Sequence, residues 1–483
     1  NDLESLRLLL DRPGDVNAGD KLGFTPLLYA TSNGNAQAVR LLLSKGANPN
    51  TAYARTTMVK NGPIAITNLT PIMMAPMSTP ECIQLLIDSG ANVNARDGRG
   101  MTALMFAAAS DKPDLAILRM LLKAGADPEI RSGINERASD WAVKFHHPEV
   151  MKLLGVQTFE HKPSRPVEAK AGDVREAVGK GVALLQATSA EYFKQSGCVG
   201  CHHQPLIGLA VERAAKNGIA VNEADRKAQT QVVKAENLSS RDIVLQGVYI
   251  SVDALAHSMQ HFNEAGYAAD DVTDALVSAI ASQQRADGSW YGAPVVRPPM
   301  EYSDWTRTAL SAMALARYPI PARRAEFEQR VARARRWLLE TRPELAYERS
   351  FQVLGLVWSG ASSADVNRAA AEVRKLQRED GGWGQTDNLP SDTFATSVAL
   401  YALQLAGVGA QDASARKAVD HLLRTQLPDG SWHVASRSPK LQPYFQSGFP
   451  HDHDQWISAA ATGWAVAALS NTLPAPRAVA AVR

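Results

Sequence analysis

Repetition constrains this chain more than any other feature. Three segments of its C-terminal part end alike: QRADGSW at 284–290, QREDGGW at 377–383 and QLPDGSW at 426–432. Each follows an amphipathic helical pattern such as DVTDALVSAIAS or ADVNRAAAEVRK. Each precedes a second helix of smaller residues: TRTALSAMALA at 306–316, SDTFATSVALYALQLAG at 391–407 and ISAAATGWAVAALS at 457–470. Repeats of this kind are units that bury their apolar faces on one another. Extending the count gives six helical pairs. First helices are expected near 173–187, 222–240, 268–284, 322–340, 362–378 and 411–426. Second helices are expected near 203–217, 245–264, 303–317, 347–359, 391–407 and 455–471.

The Gln-x-x-x-Gly-x-Trp ending resembles the QW motif of squalene-hopene cyclases and the related protein-prenyltransferase toroids. That resemblance implies an α6/α6 toroid, with Gln bridging helix ends, Gly permitting a tight turn and Trp packing across the gap. It does not carry the chemistry over. The Asp-x-Asp-Asp acid of the cyclases has no counterpart. Asp304 and Asp392 are single acids at helix starts, read as N-caps. Aromatics make up only 6% of the chain, too few for a cation-stabilising lumen. Prenyltransferases need an Asp, Cys and His zinc set, and no Cys follows Cys201.

A different repeat fills the N-terminal third. TPLLYA (25–30), TPIMMA (70–75), TALMFA (102–107) and the weaker RASDWA (137–142) each open a unit. The helices AVRLLLSKGANPN (38–50), ECIQLLIDSGANVN (81–94) and LRMLLKAGADPE (118–129) follow the first three. An incomplete opening unit, LRLLLDRPGDVN, begins at 6. This pattern resembles the ankyrin repeat and implies a partner-binding module without chemistry of its own. Thr at the helix start caps orphan N–H groups, Pro fits the first turn, and Gly46, Gly90 and Gly125 end the second helices. Thr25 and Thr70 lie 45 residues apart and Thr70 and Thr102 only 32, so roughly 53–64 is an inserted loop. Cys82, at the start of a second helix, reads as a packed small hydrophobe.

The expected fold class is therefore all-α: ankyrin repeats over 1–155, a linker over 156–172 and the α/α toroid over 173–483. A chain of 483 residues is large enough for two cores. The 51 Lys+Arg nearly balance 49 Asp+Glu, which gives no support for nucleic-acid binding. Apolar runs are too short to span a bilayer. The first residue is Asn1, which fits removal of a leader.

The cysteines number three, Cys82, Cys198 and Cys201, too few for a disulfide framework. Residues 196–204 read SGCVGCHHQ, so Cys198, Cys201 and His202 form Cys-x-x-Cys-His. This resembles the attachment signature of c-type haem, with two thiols a helical turn apart for the porphyrin and the next imidazole for the iron. A disulfide or thiol-redox pair, half of a zinc site, and chance are the other readings. The motif stands where the first hairpin should turn, in place of its QW ending. Met300, His433, His451 and His453 are mouth-loop candidates for a sixth ligand, with His451 first, then His453, then Met300; a five-coordinate iron is the alternative. His257, Met259 and His261 lie too deep if their helix starts at 245, and His203 is on the wrong side of the ring.

Taken with the haem resemblance, the expectation is an exported, periplasmic electron-transfer subunit with one covalent haem c, held by Cys198 and Cys201 and ligated by His202 and His451. Its ankyrin repeats would dock a redox enzyme or membrane complex. Two alternatives stand beside it: a haem-dependent oxidase or peroxidase acting on an apolar ligand in the toroid, with Asp304, Asp392, His257 and His261 lining it, and a haem-free interaction scaffold.

Overall fold

A computed structural model describes residues 3–20, 23–53, 58–59, 62–63, 67–156, 173–196, 200, 203–245, 251–291, 297–440 and 444–474. The chain is mostly helical and divides into two compact units. One comprises Asn1–His161 with Arg437–Tyr444, the other Lys162–Ser436 with Phe445–Arg483.

In the first unit, α1 (Leu3–Leu10), α2 (Pro26–Ser32), α3 (Ala36–Ser44), α4 (Pro80–Asp88), α5 (Ala103–Ala108), α6 (Leu115–Lys123), α7 (Ala138–Lys144) and α8 (Pro148–Leu153) form two layers. α1, α3, α4, α6 and α8 pack in succession; α2, a 3-10 turn at Pro71–Met77, α5 and α7 form the other row. Thr25 and Thr102 cap α2 and α5 by accepting from Leu28 N (3.2 Å) and Met105 N (3.4 Å). The TPIMMA copy differs. Pro76 lacks an N–H and opposes continued α-helix, so the segment is a 3-10 turn and Thr70 Oγ1 has no hydrogen-bond partner. The inserted loop is closed by a bridge between Tyr53 and Leu69, with β1 (Met58–Val59) antiparallel to β2 (Gly62–Pro63) inside it. Cys82 is a free thiol, fully buried among Ile83, Leu86 and Leu118, in agreement with a packing role.

Asparagines tie the repeats together. Asn50 Oδ1 accepts from Asn92 N (2.7 Å) while its Nδ2 donates to Gly90 O (3.0 Å). Asn94 repeats this with Asp127 N (2.8 Å) and Gly125 O (2.9 Å), and Asn17 with Asn48 N (2.7 Å) and Gly46 O (3.5 Å). The next position in the series is Glu129, whose carboxylate carries no amide N–H to donate.

The second unit carries twelve described helices: α9 (Val174–Ser196), α10 (His203–Lys216), α11 (Glu223–Leu245), α12 (Val252–Ala265), α13 (Asp271–Ser282), α14 (Asp304–Arg317), α15 (Arg324–Glu340), α16 (Ala346–Trp358), α17 (Ser363–Lys375), α18 (Thr393–Leu405), α19 (Ala413–Thr425) and α20 (Gln455–Ser470). The even-numbered helices from α10 to α20 pack each on the next, and α20 packs back on α10, closing the series. Both faces of α20 are buried, so its Ala-rich composition reads as close helix packing rather than an amphipathic surface.

The three Gln-x-x-x-Gly-x-Trp turns are built alike. Gln284, Gln377 and Gln426 each donate from Nε2 twice. One bond goes to the carbonyl of the turn glycine, and the other to a carbonyl of a following helix: Arg330 O (2.9 Å), Ser414 O (2.9 Å) and Ala177 O (2.9 Å). The last of these runs from α19 back to α9. Trp290, Trp383 and Trp432 donate from Nε1 to Ile280 O, Val373 O and Leu422 O, and from N to Thr308, Thr396 and Thr462. Gly430 has φ +89, and a Cβ there would lie 2.7 Å from Lys180 O; at Gly381 it would overlap Lys417 O. β3 (Trp383–Gly384) and β4 (Ser391–Asp392) pair beside the second turn. The short strand pairs are the departure from a purely helical chain.

One segment groups differently from the domain boundaries expected above. Arg437–Tyr444 belongs to the first unit because the Arg437 side chain is buried against Asp111 and Phe145.

Candidate functional site

Cys198, Cys201 and His202 lie outside the described residues, as does most of the segment expected to be the linker. Gln204, in the first turn of α10, donates from Nε2 to Ser189 O on α9 (2.7 Å) and is bonded to the Ser189 hydroxyl. Gln229 on α11 donates to Gln204 O (2.9 Å) and Oε1 (3.1 Å). Three successive helices are thus clamped around the turn by amide groups that do not titrate.

Aromatic rings cluster at the start of α10. The buried His203 ring stacks on Tyr192 at 4.0 Å between centroids, and Trp456 stands edge-on to both, 5.5 Å from Tyr192 and 6.0 Å from His203. Phe445 lies 5.0 Å from Trp456 and 5.5 Å from Tyr192. Gln455 holds this stretch in place, accepting from Ser447 N (3.0 Å) and donating to Phe445 O (3.0 Å).

His451 sits at the third QW turn. Ser431 Oγ donates to Asp429 Oδ1 (2.6 Å), so the 2.8 Å bond between Ser431 Oγ and His451 Nε2 has the imidazole as donor. His451 and its neighbour Asp452 both have positive φ, +80 and +44. The His433 ring lies 4.9 Å from that of His451, and His433 Nε2 is 2.8 Å from Asp454 Oδ2. Burial, then the neighbouring His433, push the His451 pKa down. Burial works to raise the Asp454 pKa, but the bonds from His433 and Ser436 N outweigh it, and the carboxyl titrates below its usual range. His453 is exposed, and Met300 is packed in the apolar core.

The histidines of α12 are not as deep as expected. The helix begins at Val252 rather than 245, so His257 is five residues in, about 7.5 Å along the axis. Both rings are buried. His257 Nδ1 pairs with Gln260 Oε1 (3.3 Å). His261 Nε2 pairs with Thr230 (3.0 Å), and the ring lies against Gly208, where any Cβ would overlap it. Burial lowers the His261 pKa to about 4.

The two single acids separate. Asp392 caps α18, accepting from Ala395 N (3.0 Å), as expected. Asp304 does not cap α14; Ser303 does, accepting from Trp305 N (3.1 Å). Asp304 instead faces Arg307 (3.3 Å), whose Nε also bonds both oxygens of the buried Asp253 at 3.0 Å. Burial raises the pKa of Asp253 and of Asp304, opposed in each by Arg307. No local pattern marks a partner for Arg307, because Asp253 is 54 residues away. A second network, equally unforeseen, joins Arg213 to Glu264 (2.6 Å) and to Tyr401 (3.0 Å).

Among the described residues, no group of three or more His, Cys, Asp or Glu is placed to hold a metal ion. No described helix is long and apolar enough to cross a membrane.

One family model matches within the N-terminal part of the chain. The ankyrin-repeat family model matches in three copies, at residues 1–53, 56–132 and 72–162. A mitochondrial disaggregase of Bos taurus is 30% identical over 225 residues, 43% of this chain and 30% of the relative. Ankyrin repeat, SAM and basic leucine zipper domain-containing protein 1 is 29% identical over 126 residues in Dasypus novemcinctus, 26% of this chain and 25% of the relative. The Mus musculus protein of that name is 32% identical over 107 residues, 22% of this chain and 21% of the relative. The chain spans less than a third of each of these relatives. Ankyrin repeats make up its N-terminal third, and they imply protein partners.

Proposed function

We propose that this chain is a haem-free protein-interaction scaffold, whose ankyrin repeats bind a partner while an α/α toroid of the cyclase and prenyltransferase type forms the rest. The observation that carries this reading is the ankyrin stack itself, with three matching family copies and an asparagine ladder that holds its repeats in register. The toroid reading is supported by the closed packing series and by Gln426, which bonds the sixth hairpin to the first. Cys198 and Cys201 are in this reading a disulfide or a thiol pair.

The sequence Cys198-Val-Gly-Cys201-His202 favours a second reading, an exported electron-transfer subunit with one haem c. The clamped helices and the aromatic cover of Tyr192, Phe445 and Trp456 fit an apolar planar group beside that turn. Cys198 and Cys201 would hold the porphyrin and His202 the iron; when bound, the group would supply one-electron transfer. His451 would serve as sixth ligand only after leaving Ser431, since its Nε2 is engaged there.

One experiment separates the readings. The chain is expressed with a signal peptide in a bacterium competent for cytochrome c maturation and purified. The scaffold reading expects the mass of the polypeptide alone, no Soret absorbance and no haem stain on a denaturing gel. A stained band that vanishes in the Cys198→Ala, Cys201→Ala variant overturns it in favour of the haem reading.

A further inference from the structure

The first unit holds one side chain in a way that points to what it recognises. The guanidinium of Arg437 is only 5% exposed, and its partner Asp111 is fully buried. Nη1 donates to Asp111 Oδ1 and Nη2 to Oδ2, the forked geometry of a guanidinium on a carboxylate. The same guanidinium lies 4.8 Å from the centre of the Phe145 ring. Asp111 comes from the turn between α5 and α6, and Phe145 from the end of α7, so two adjacent repeats build the pocket. His147 frames it by bonding Ser110 O through Nε2 (2.9 Å). Burial lowers the pKa of His147, which keeps a competing cation away from the guanidinium. Three residues on, Arg99 Nη1 donates to Lys440 O (3.4 Å), and Arg99 is itself fixed by Asp97 (2.7 Å).

This is a charged floor, an aromatic wall and a grip on the backbone, all facing non-helical chain. A carboxylate so buried needs a cation, because left unpaired it bears the full cost of desolvation. Lysine cannot reproduce the fork. We propose that this pocket is the ankyrin unit's recognition site for an arginine carried on non-helical chain, and that Arg437 is a resident ligand which an arginine-bearing segment of a partner protein displaces. The inference rests on the scaffold reading and gives its partner a chemistry. Tethering puts Arg437 at an effective concentration of order millimolar, so a free segment competes poorly with it.

The test uses the full chain and a fluorescent peptide of residues 434–440, VASRSPK, followed by anisotropy. The Arg437→Ala variant should bind the peptide at least tenfold more tightly than the wild type. Replacing the peptide's arginine by citrulline, its neutral isostere, should weaken binding at least tenfold, and so should adding Asp111→Asn to the variant. Should Arg437→Ala unfold, the wild type serves: weak uptake must still require the peptide's arginine. A folded variant that takes up no peptide, or takes up the citrulline peptide equally well, overturns the pocket. If the ankyrin repeats capture a defined partner all the same, the pocket falls and the scaffold reading stands. If the arginine peptide binds as expected but the chain carries haem, the pocket stands and the scaffold reading falls.

Discussion

The two units solve one problem with the same functional group and reach opposite ends. Each repeat must be fixed to its neighbour, and each unit does this with a carboxamide that donates to a neighbour's carbonyl. In the ankyrin unit the group is Asn, it also accepts a backbone N–H, and the series stops at Glu129, which takes the place of the next Asn. In the second unit the group is Gln, and its series returns to the start through the bond from Gln426 to Ala177. An open series keeps terminal faces and tolerates change one repeat at a time. A closed one must satisfy every neighbour at once.

The glycines should expose that difference most sharply. Gly381 has φ +85, and a Cβ there would overlap the Lys417 backbone; Gly125 has φ +89 with nothing within 4 Å. Gly381→Ala combines backbone strain with a clash and should destabilise the second unit by about 3 kcal/mol. Gly125→Ala has the strain alone and should cost the first unit about 1 kcal/mol. Eight of the nine tryptophans lie in the second unit, so denaturant unfolding followed by tryptophan fluorescence reads the first variant. Equal losses would remove the distinction between the two turns.

Acid should act on the closed unit through His261. Its pKa in the folded chain is lowered by burial to about 4, from 6.5. The unfolded chain therefore binds a proton between those values that the folded chain does not. Stability is full above about pH 6.5 and falls as pH drops toward 4, by about 3 kcal/mol at the limit. His421, also lowered by burial, adds to the fall with the same sign. The His261→Asn variant should flatten the pH dependence of the tryptophan-detected midpoint across that window; an unchanged slope would assign the loss elsewhere.

Local pattern carried much of this architecture. The periodicity around TPLLYA and TALMFA marks α2 and α5, and the Gln-x-x-x-Gly-x-Trp endings mark the turns after α13, α17 and α19. It failed where a competing local term intervened, as at Pro76, which turns TPIMMA into a 3-10 segment. It failed again on the start of α12, because apolar spacing does not report where a helix gains its cap, and the inferred depth of His257 failed with it. The pairs Arg307–Asp253, Arg213–Glu264 and Arg437–Asp111 were illegible for another reason. Their partners are 54, 51 and 326 residues apart, and a charge in sequence does not say which opposite charge the fold brings to it. His451 was legible as a residue of the sixth-hairpin loop, but its bond to Ser431 depends on two residues with positive φ that the sequence does not advertise.

The glutamines test closure itself. Gln426→Ala removes donors to Gly430 O and Ala177 O and should cost about 1–2 kcal/mol, close to Gln377→Ala. The distribution should differ. Gln377 links helices that are also joined by the intervening chain, whereas Gln426 links α19 to α9, and no covalent path joins them on that side. Hydrogen exchange should therefore rise in α9 and α20 for Gln426→Ala and stay near α17 to α19 for Gln377→Ala. The same pattern in both variants would mean that the seam has no special part in holding the series shut.

The smallest effects belong to the open ladder, and their gradient is the informative part. Asn50→Ala leaves Asn92 N and Gly90 O without their partner and should cost about 1 kcal/mol in the first unit. Asn94→Ala should cost nearly the same, since its two contacts match in length. Asn17→Ala should cost less, because its bond to Gly46 O is 3.5 Å and near the limit of a useful hydrogen bond. Asn50→Ala and Asn94→Ala together should sum to nearly the separate losses, as expected of an open series in which each link serves one junction. Chemical denaturation followed by circular dichroism in a Trp141→Phe background gives the three values, with the second unit's transition as internal reference. A double variant that loses far more than the sum would show that the ladder is cooperative from end to end, and the contrast with the closed unit would then lie in geometry alone.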